Sequence, residues 1–135
     1  MKASELAQVL TDVAQLYPPD LIQAQVRDIP RIAFNICLVV DAASKPMHMI
    51  DICDIGGGIG LFSVGCSAVG MKRSLLVDDF NDPINHEGGC DILDLHRGLG
   101  VEVVSRDVIR QGVKDLNGTF DVITSFDSME HWHHS

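Results

Sequence analysis

The sequence is short of positive charge. Ten lysines and arginines stand against nineteen aspartates and glutamates, for a formal net charge of −9. Bare phosphate backbone and anionic lipid repel so acidic a chain, and no stretch marks a basic patch, which argues against nucleic acid and membrane as partners. No apolar run reaches the length of a membrane span, and the start lacks the basic-then-apolar order of a secretory signal. Cysteine is sparse too: Cys37, Cys53, Cys66 and Cys90 are widely spaced and form no CxxC pair. Three of them sit in apolar segments, where a thiol behaves as a small hydrophobe. Neither a disulfide framework nor a zinc site is expected, and a cytoplasmic location is. What remains is 135 residues, 46% hydrophobic and 21% charged, an ordinary globular composition with a modest core.

One stretch carries most of the chemistry: Ile50-Asp51-Ile52-Cys53-Asp54-Ile55-Gly56-Gly57-Gly58-Ile59-Gly60-Leu61-Phe62-Ser63. An isoleucine-rich run reaches an aspartate, a knot of glycines follows, and a small-residue helical pattern begins. This reads as a buried strand, a tight turn and a helix start, the arrangement nucleotide-like ligands use in open α/β sheets. A ligand-free turn would use the same glycines for backbone geometry alone. The acid directly before them favours the ligand.

Upstream, Leu6, Val9, Leu10, Val13 and Leu16 predict an amphipathic helix over 3–16, ended by Tyr17-Pro18-Pro19. A short segment, 21–26, follows. Asp28 then reads as an N-cap, with Pro30 in the first turn of a nearly all-apolar helix running to about Ala43 and packed on the sheet or on a partner. The first strand is expected at about 48–54. Helix 61–69 stops at Gly70, and strand 74–77 leads to Asp78-Asp79. Helix 91–97 stops at Gly98, and strand 101–104 leads to Asp107. A weak helical turn at 108–114 precedes a fourth strand, Phe120 to Phe126, and Asp127 to Glu130 resembles a capping box opening another helix. Strand and helix alternate from residue 48, so a parallel sheet with crossover helices is the economical fold.

Three of the four strands end in acid: Asp54, Asp78-Asp79 and Asp107. Each alone is also a good helix cap or loop residue. As a set behind one glycine loop, at the strand ends where open parallel sheets bind ligands, they favour a ligand rich in hydroxyl and amino groups. The glycine spacing narrows the choice. A dinucleotide G-x-G-x-x-G counted from Gly56 meets Leu61 at its third glycine, and counted from Gly58 it meets Ser63. No lysine lies between Lys45 and Lys72, so a phosphate-cradling Walker loop is excluded as well.

Asp54-Ile55-Gly56-Gly57-Gly58-Ile59-Gly60 resembles the D/E-x-G-x-G-x-G first motif of the Rossmann-like (class I) S-adenosylmethionine-dependent methyltransferases. Asp78, eighteen residues after Gly60, matches that family's ribose-binding acid after the second strand. Asp107, with Val108 beside it, resembles the acid that contacts the adenine amino group. Phe120-Asp121-Val122-Ile123-Thr124-Ser125-Phe126-Asp127-Ser128-Met129-Glu130-His131 looks like the family's fourth strand. The resemblance implies S-adenosyl-L-methionine as cofactor and S-adenosyl-L-homocysteine as product. It implies that Asp54, Gly56, Gly57, Gly58 and Gly60 hold the methionine part, Asp78 with Asp79 the ribose, and Asp107 with Val108 the adenine. Ser125 and Phe126 complete the candidate cofactor set.

The family core has seven strands, whereas the pattern here covers about four. The expectation is therefore an α/β Rossmann-like three-layer sandwich with a parallel sheet, truncated after the fourth strand and preceded by N-terminal helices. Residues 1–46 would form the helical segment and 47–135 the partial cofactor-binding domain. Two consequences are expected: little turnover by this chain alone, and an open sheet edge that a second copy or a partner chain covers. The alternative is a non-catalytic methyltransferase-like module that pairs with another chain. No residue is singled out as a catalytic base. Glu130, His131, His133 and His134 lack an H-E-x-x-H spacing, so no metal site is expected. Fold does not select a methyl acceptor, and the acidic charge favours a small molecule.

Overall fold

Leu6, Leu10 and Val13 bury one face of helix α1, Ala3–Ala14, in the computed structural model of the chain, which describes residues 2–78, 89–105 and 119–125. The expected turn at 108–114 and the helix opening at Asp127 lie outside the described residues, as do Asp79, Asp107, Val108 and Phe126.

Helix α2 corrects the sequence reading. The short segment 21–26 and the helix expected to start at Asp28 are one 25-residue helix, Pro19–Ala43. Pro19 supplies the start, where a missing N–H costs nothing. Pro30 lies inside the helix rather than in its first turn. An interior proline costs about 3 kcal/mol. Ile29, Ile32, Ile36 and Val39, however, form one buried stripe on both sides of it. Each such side chain contributes about 1.5–3 kcal/mol on burial, so packing outweighs the lost hydrogen bond. The helix is also packed on one side only: Phe34 and Leu38 are 63% and 44% exposed.

A 3-10 turn, Met47–Met49, takes the place of the expected start of the first strand, and β1 runs Asp51–Ile55. Helix α3 follows at Leu61–Ala68, and Gly70, at φ 102°, turns the chain out of it. Strand β2 is Arg73–Asp78, helix α4 Gly89–Gly98, strand β3 Val101–Ser105 and strand β4 Val122–Thr124. The fourth strand is thus three residues long, shorter than the run from 120 to 126 suggested.

All pairings are parallel, in the order β3-β2-β1-β4. This is the α/β Rossmann-like arrangement with N-terminal helices. Alternate strand residues face opposite sides: Ile52 and Leu76 join Leu10, Ile32, Ile36, Val64 and Ile92 in the larger core, while Cys53, Ile55, Leu75 and Val77 form a second cluster. The helices of segment 1–46 therefore share one core with the sheet. A Cβ placed on Gly65 would lie 2.6 Å from Leu10 Cδ2 and 3.3 Å from Ile36 Cδ1, which shows how closely α3 approaches α1 and α2. The order reverses at β1: the chain leaves it toward β2 and later returns to its other side with β4. Such a reversal opens a crevice beyond the carboxyl ends of the strands, where the glycine loop lies.

Candidate functional site

The loop between β1 and α3 is set by backbone geometry that side chains oppose. Gly56 and Gly58 have φ of 75° and 56°, the left-handed region, which costs other residues about 1–2 kcal/mol. Gly57 faces a different constraint. A Cβ there would sit 2.1 Å from Asp54 Oδ2, so the Asp54 carboxylate lies directly under the loop. Gly56 N–H donates to the Val77 carbonyl at 2.7 Å, anchoring the loop to the end of β2, and Gly60 N–H closes it on the Gly57 carbonyl at 3.3 Å.

The two described acids at the strand ends, Asp54 and Asp78, are brought to this loop in different ways. Asp78 is half-buried, and its Oδ2 accepts the Gly58 N–H at 2.7 Å. Asp54 is 3% exposed, and its Oδ1 accepts the Thr124 hydroxyl at 2.7 Å. Parallel register explains that bond, since Asp54 stands opposite Thr124 across the β1–β4 pair. Asp54 thus supports the loop from beneath, whereas Asp78 clamps its rim. Burial, reinforced by the charge of Asp54, pushes the Cys66 thiol up and keeps it protonated. Asp51, at the opposite end of β1, donates its N–H to the Asp121 carboxylate at 2.8 Å. That bond, with Lys45 at 2.6 Å, holds Asp121 below the usual carboxylate range. Ser125 is half-buried just past β4.

Three residues in this neighbourhood were not found by sequence reasoning. Thr124 fell inside an expected strand, and only its register identifies it as the partner of Asp54. Tyr17, in the link between α1 and α2, is buried, and its hydroxyl donates to the Ile59 carbonyl at 2.7 Å and lies 3.2 Å from the Gly60 carbonyl. Its chain position gave one signal, an apolar residue at helical spacing directly before two prolines. His96, on α4, is fully buried, its ring in a T-shaped arrangement with that of Tyr17, centroids 6.3 Å apart. Its Nδ1 bonds the Ile92 carbonyl at 2.9 Å, and its Nε2 has no hydrogen-bond partner of standard geometry among the described residues. Burial lowers the affinity of that ring for a proton, partly offset by the Ile92 and Gly60 carbonyls nearby.

Among the described residues, no group of three or more His, Cys, Asp or Glu side chains is placed to hold a metal, and no helix is long and apolar enough to cross a membrane. The family described as "methyltransferase domain" matches residues 23–135, from within α2 through the glycine loop and all four strands. Neither the curated proteins nor the solved structures yielded a match to the chain.

Proposed function

The chain belongs to the methyltransferase domain family, whose members generally use S-adenosylmethionine, and from that premise we propose that it is the cofactor-binding part of an S-adenosylmethionine-dependent methyltransferase acting on a small molecule. The observation that carries the reading is the clamp between Asp78 and Gly58 over a loop that Asp54 supports. The residues present fit such a cofactor. The glycine loop is half-exposed beyond the strand ends. A carboxylate offers about four acceptor positions, so Asp78 accepts ribose hydroxyls beside the Gly58 amide. Gly56, Gly57, Gly58 and Gly60 present backbone to the methionine part, with Asp54 acting through the loop rather than from the open crevice. Asp107 and Val108 are assigned to the adenine by motif position, and Ser125 and Phe126 to the far side.

When bound, the cofactor supplies a methyl group on a positively charged sulfur, open to direct displacement by an acceptor. The chain's own residues then have two tasks. They hold the donor in a fixed orientation, and their acidic groups offset the positive charge. The same negative charge favours an uncharged or cationic small acceptor over a polyanion.

Calorimetry with S-adenosylmethionine and S-adenosylhomocysteine tests the reading. Wild type is expected to bind both, and Asp78→Ala to bind at least roughly tenfold more weakly, since a charge-assisted hydrogen bond is lost. No binding heat in wild type, or equal affinity in the variant, sinks it. One observation favours a second reading, an assembly module: β4 lies at an edge of the described sheet, with a backbone ladder open to another strand. A stable complex with another chain, required before any ligand binds, would select it.

A further inference from the structure

The glycine loop is held from a part of the chain that carries no recognised motif. Tyr17 lies forty-two residues before Ile59 and outside the strand–loop–helix unit. It is pinned locally, its N–H bonded to the Ala14 carbonyl at 3.2 Å, with Pro18 and Pro19 behind it. The phenol is buried against the core, its ring inclined to that of His96 at an interplanar angle of 70°. From that position its hydroxyl reaches the carbonyls of two successive residues, Ile59 and Gly60, at the junction where the loop becomes α3.

A trans peptide is planar, with C=O and N–H pointing in opposite directions. Turning the Ile59 carbonyl toward Tyr17 therefore directs the Gly60 N–H back to the Gly57 carbonyl, the bond that closes the loop. Turning the Gly60 carbonyl the same way directs the Leu61 N–H, first of α3, away from Tyr17. A helix N-terminus with oriented amides is what a carboxylate-bearing ligand uses. Resting on the cofactor reading above, we infer that Tyr17 is a positioning residue: its hydroxyl sets the peptide planes of Ile59 and Gly60, and His96 braces its ring. Affinity for the methionine part of the cofactor is thereby coupled to the packing of the N-terminal helices.

The test is calorimetry with S-adenosylhomocysteine, together with amide hydrogen exchange over residues 56–61, on the full chain in three forms. Tyr17→Phe keeps the ring and removes only the hydroxyl. Ser67→Ala removes a comparable hydroxyl-to-carbonyl bond, Ser67 to Leu99, at the opposite end of α3. Tyr17→Phe is expected to weaken binding roughly tenfold, the effect of one buried hydrogen bond, and to speed exchange in the loop. Both variants are expected to lower the melting temperature, each losing one hydroxyl-to-carbonyl bond, whereas Ser67→Ala is expected to leave affinity and loop exchange unchanged. Wild-type affinity in Tyr17→Phe, or an equal loss in both variants, overturns the inference. No binding by wild type overturns the cofactor reading instead. Loop exchange then still decides whether Tyr17 holds the loop, and unchanged exchange rejects that as well.

Discussion

Asp54 and Gly57 form a close pair that sequence alone half revealed. The D-x-G-x-G-x-G spacing marks both, yet it does not say that one lies under the other. With a Cβ position 2.1 Å from Asp54 Oδ2, Gly57→Ala must push the carboxylate off Thr124 or lift the loop. The expected loss of stability is about 2 kcal/mol, read from urea denaturation, and a wild-type midpoint would contradict the placement. His96 makes a pH prediction. Burial holds its folded pKa below the ordinary 6.5. As pH falls through 6.5 the unfolded chain takes up a proton that the folded chain refuses, so stability declines until the folded pKa is reached. The slope is at most about 1.4 kcal/mol per pH unit. Asp121, whose pKa is lowered from 3.8, loses its contribution only in more acidic solution, so the two effects separate. Melting curves between pH 7 and 5 are expected to fall less steeply for His96→Gln than for wild type.

Among the elements, α2 carries the clearest conflict between local preference and packing. Pro30 suggested a helix start because proline fits a first turn and disfavours an interior. The buried stripe from Ile29 to Val39 overrides it, because those side chains can reach the core only if the helix continues through. Pro30 itself is exposed, so replacing it removes no buried contact. Pro30→Ala is expected to stabilise the protein by about 1–2 kcal/mol, the helix penalty less the entropy that proline removes from the unfolded chain. Chemical denaturation checks it, and a destabilised variant would mean that the proline serves the fold. Helix α3 and strands β2 and β3 posed no such conflict: apolar runs, glycine stops and acid ends all pointed the same way, and their limits held within about two residues, whereas β1 starts three residues later than expected, behind the 3-10 turn.

At the scale of the whole molecule, the segment 1–46 and the sheet are joined by one core. Leu10, Ile32 and Ile36 are buried in the same core as α3 and as Ile52 and Leu76 of the sheet, and Tyr17 reaches the glycine loop itself. A fragment starting at Met47 would expose all the surface they cover. It is expected to show no cooperative thermal transition and to associate in solution, by circular dichroism and light scattering. A folded, monomeric fragment would show instead that the helices are an appendage.

What the sequence by itself determined was the local and the periodic. It marked the glycine loop, the acids that follow the strands, the alternation of strand and helix, and hence the parallel sheet and the family. These depend on short-range backbone geometry and on side chains a few residues apart, so they are written in spacing. Tertiary structure alone decided that Thr124 stands opposite Asp54, that Asp78 closes on Gly58 and that α2 continues past Pro30. It also decided that Tyr17 and His96 converge on the end of the loop. Each of these joins residues distant in the chain, or sets the burial of many groups against the preference of one. Such outcomes follow from register and packing, and no local pattern encodes them.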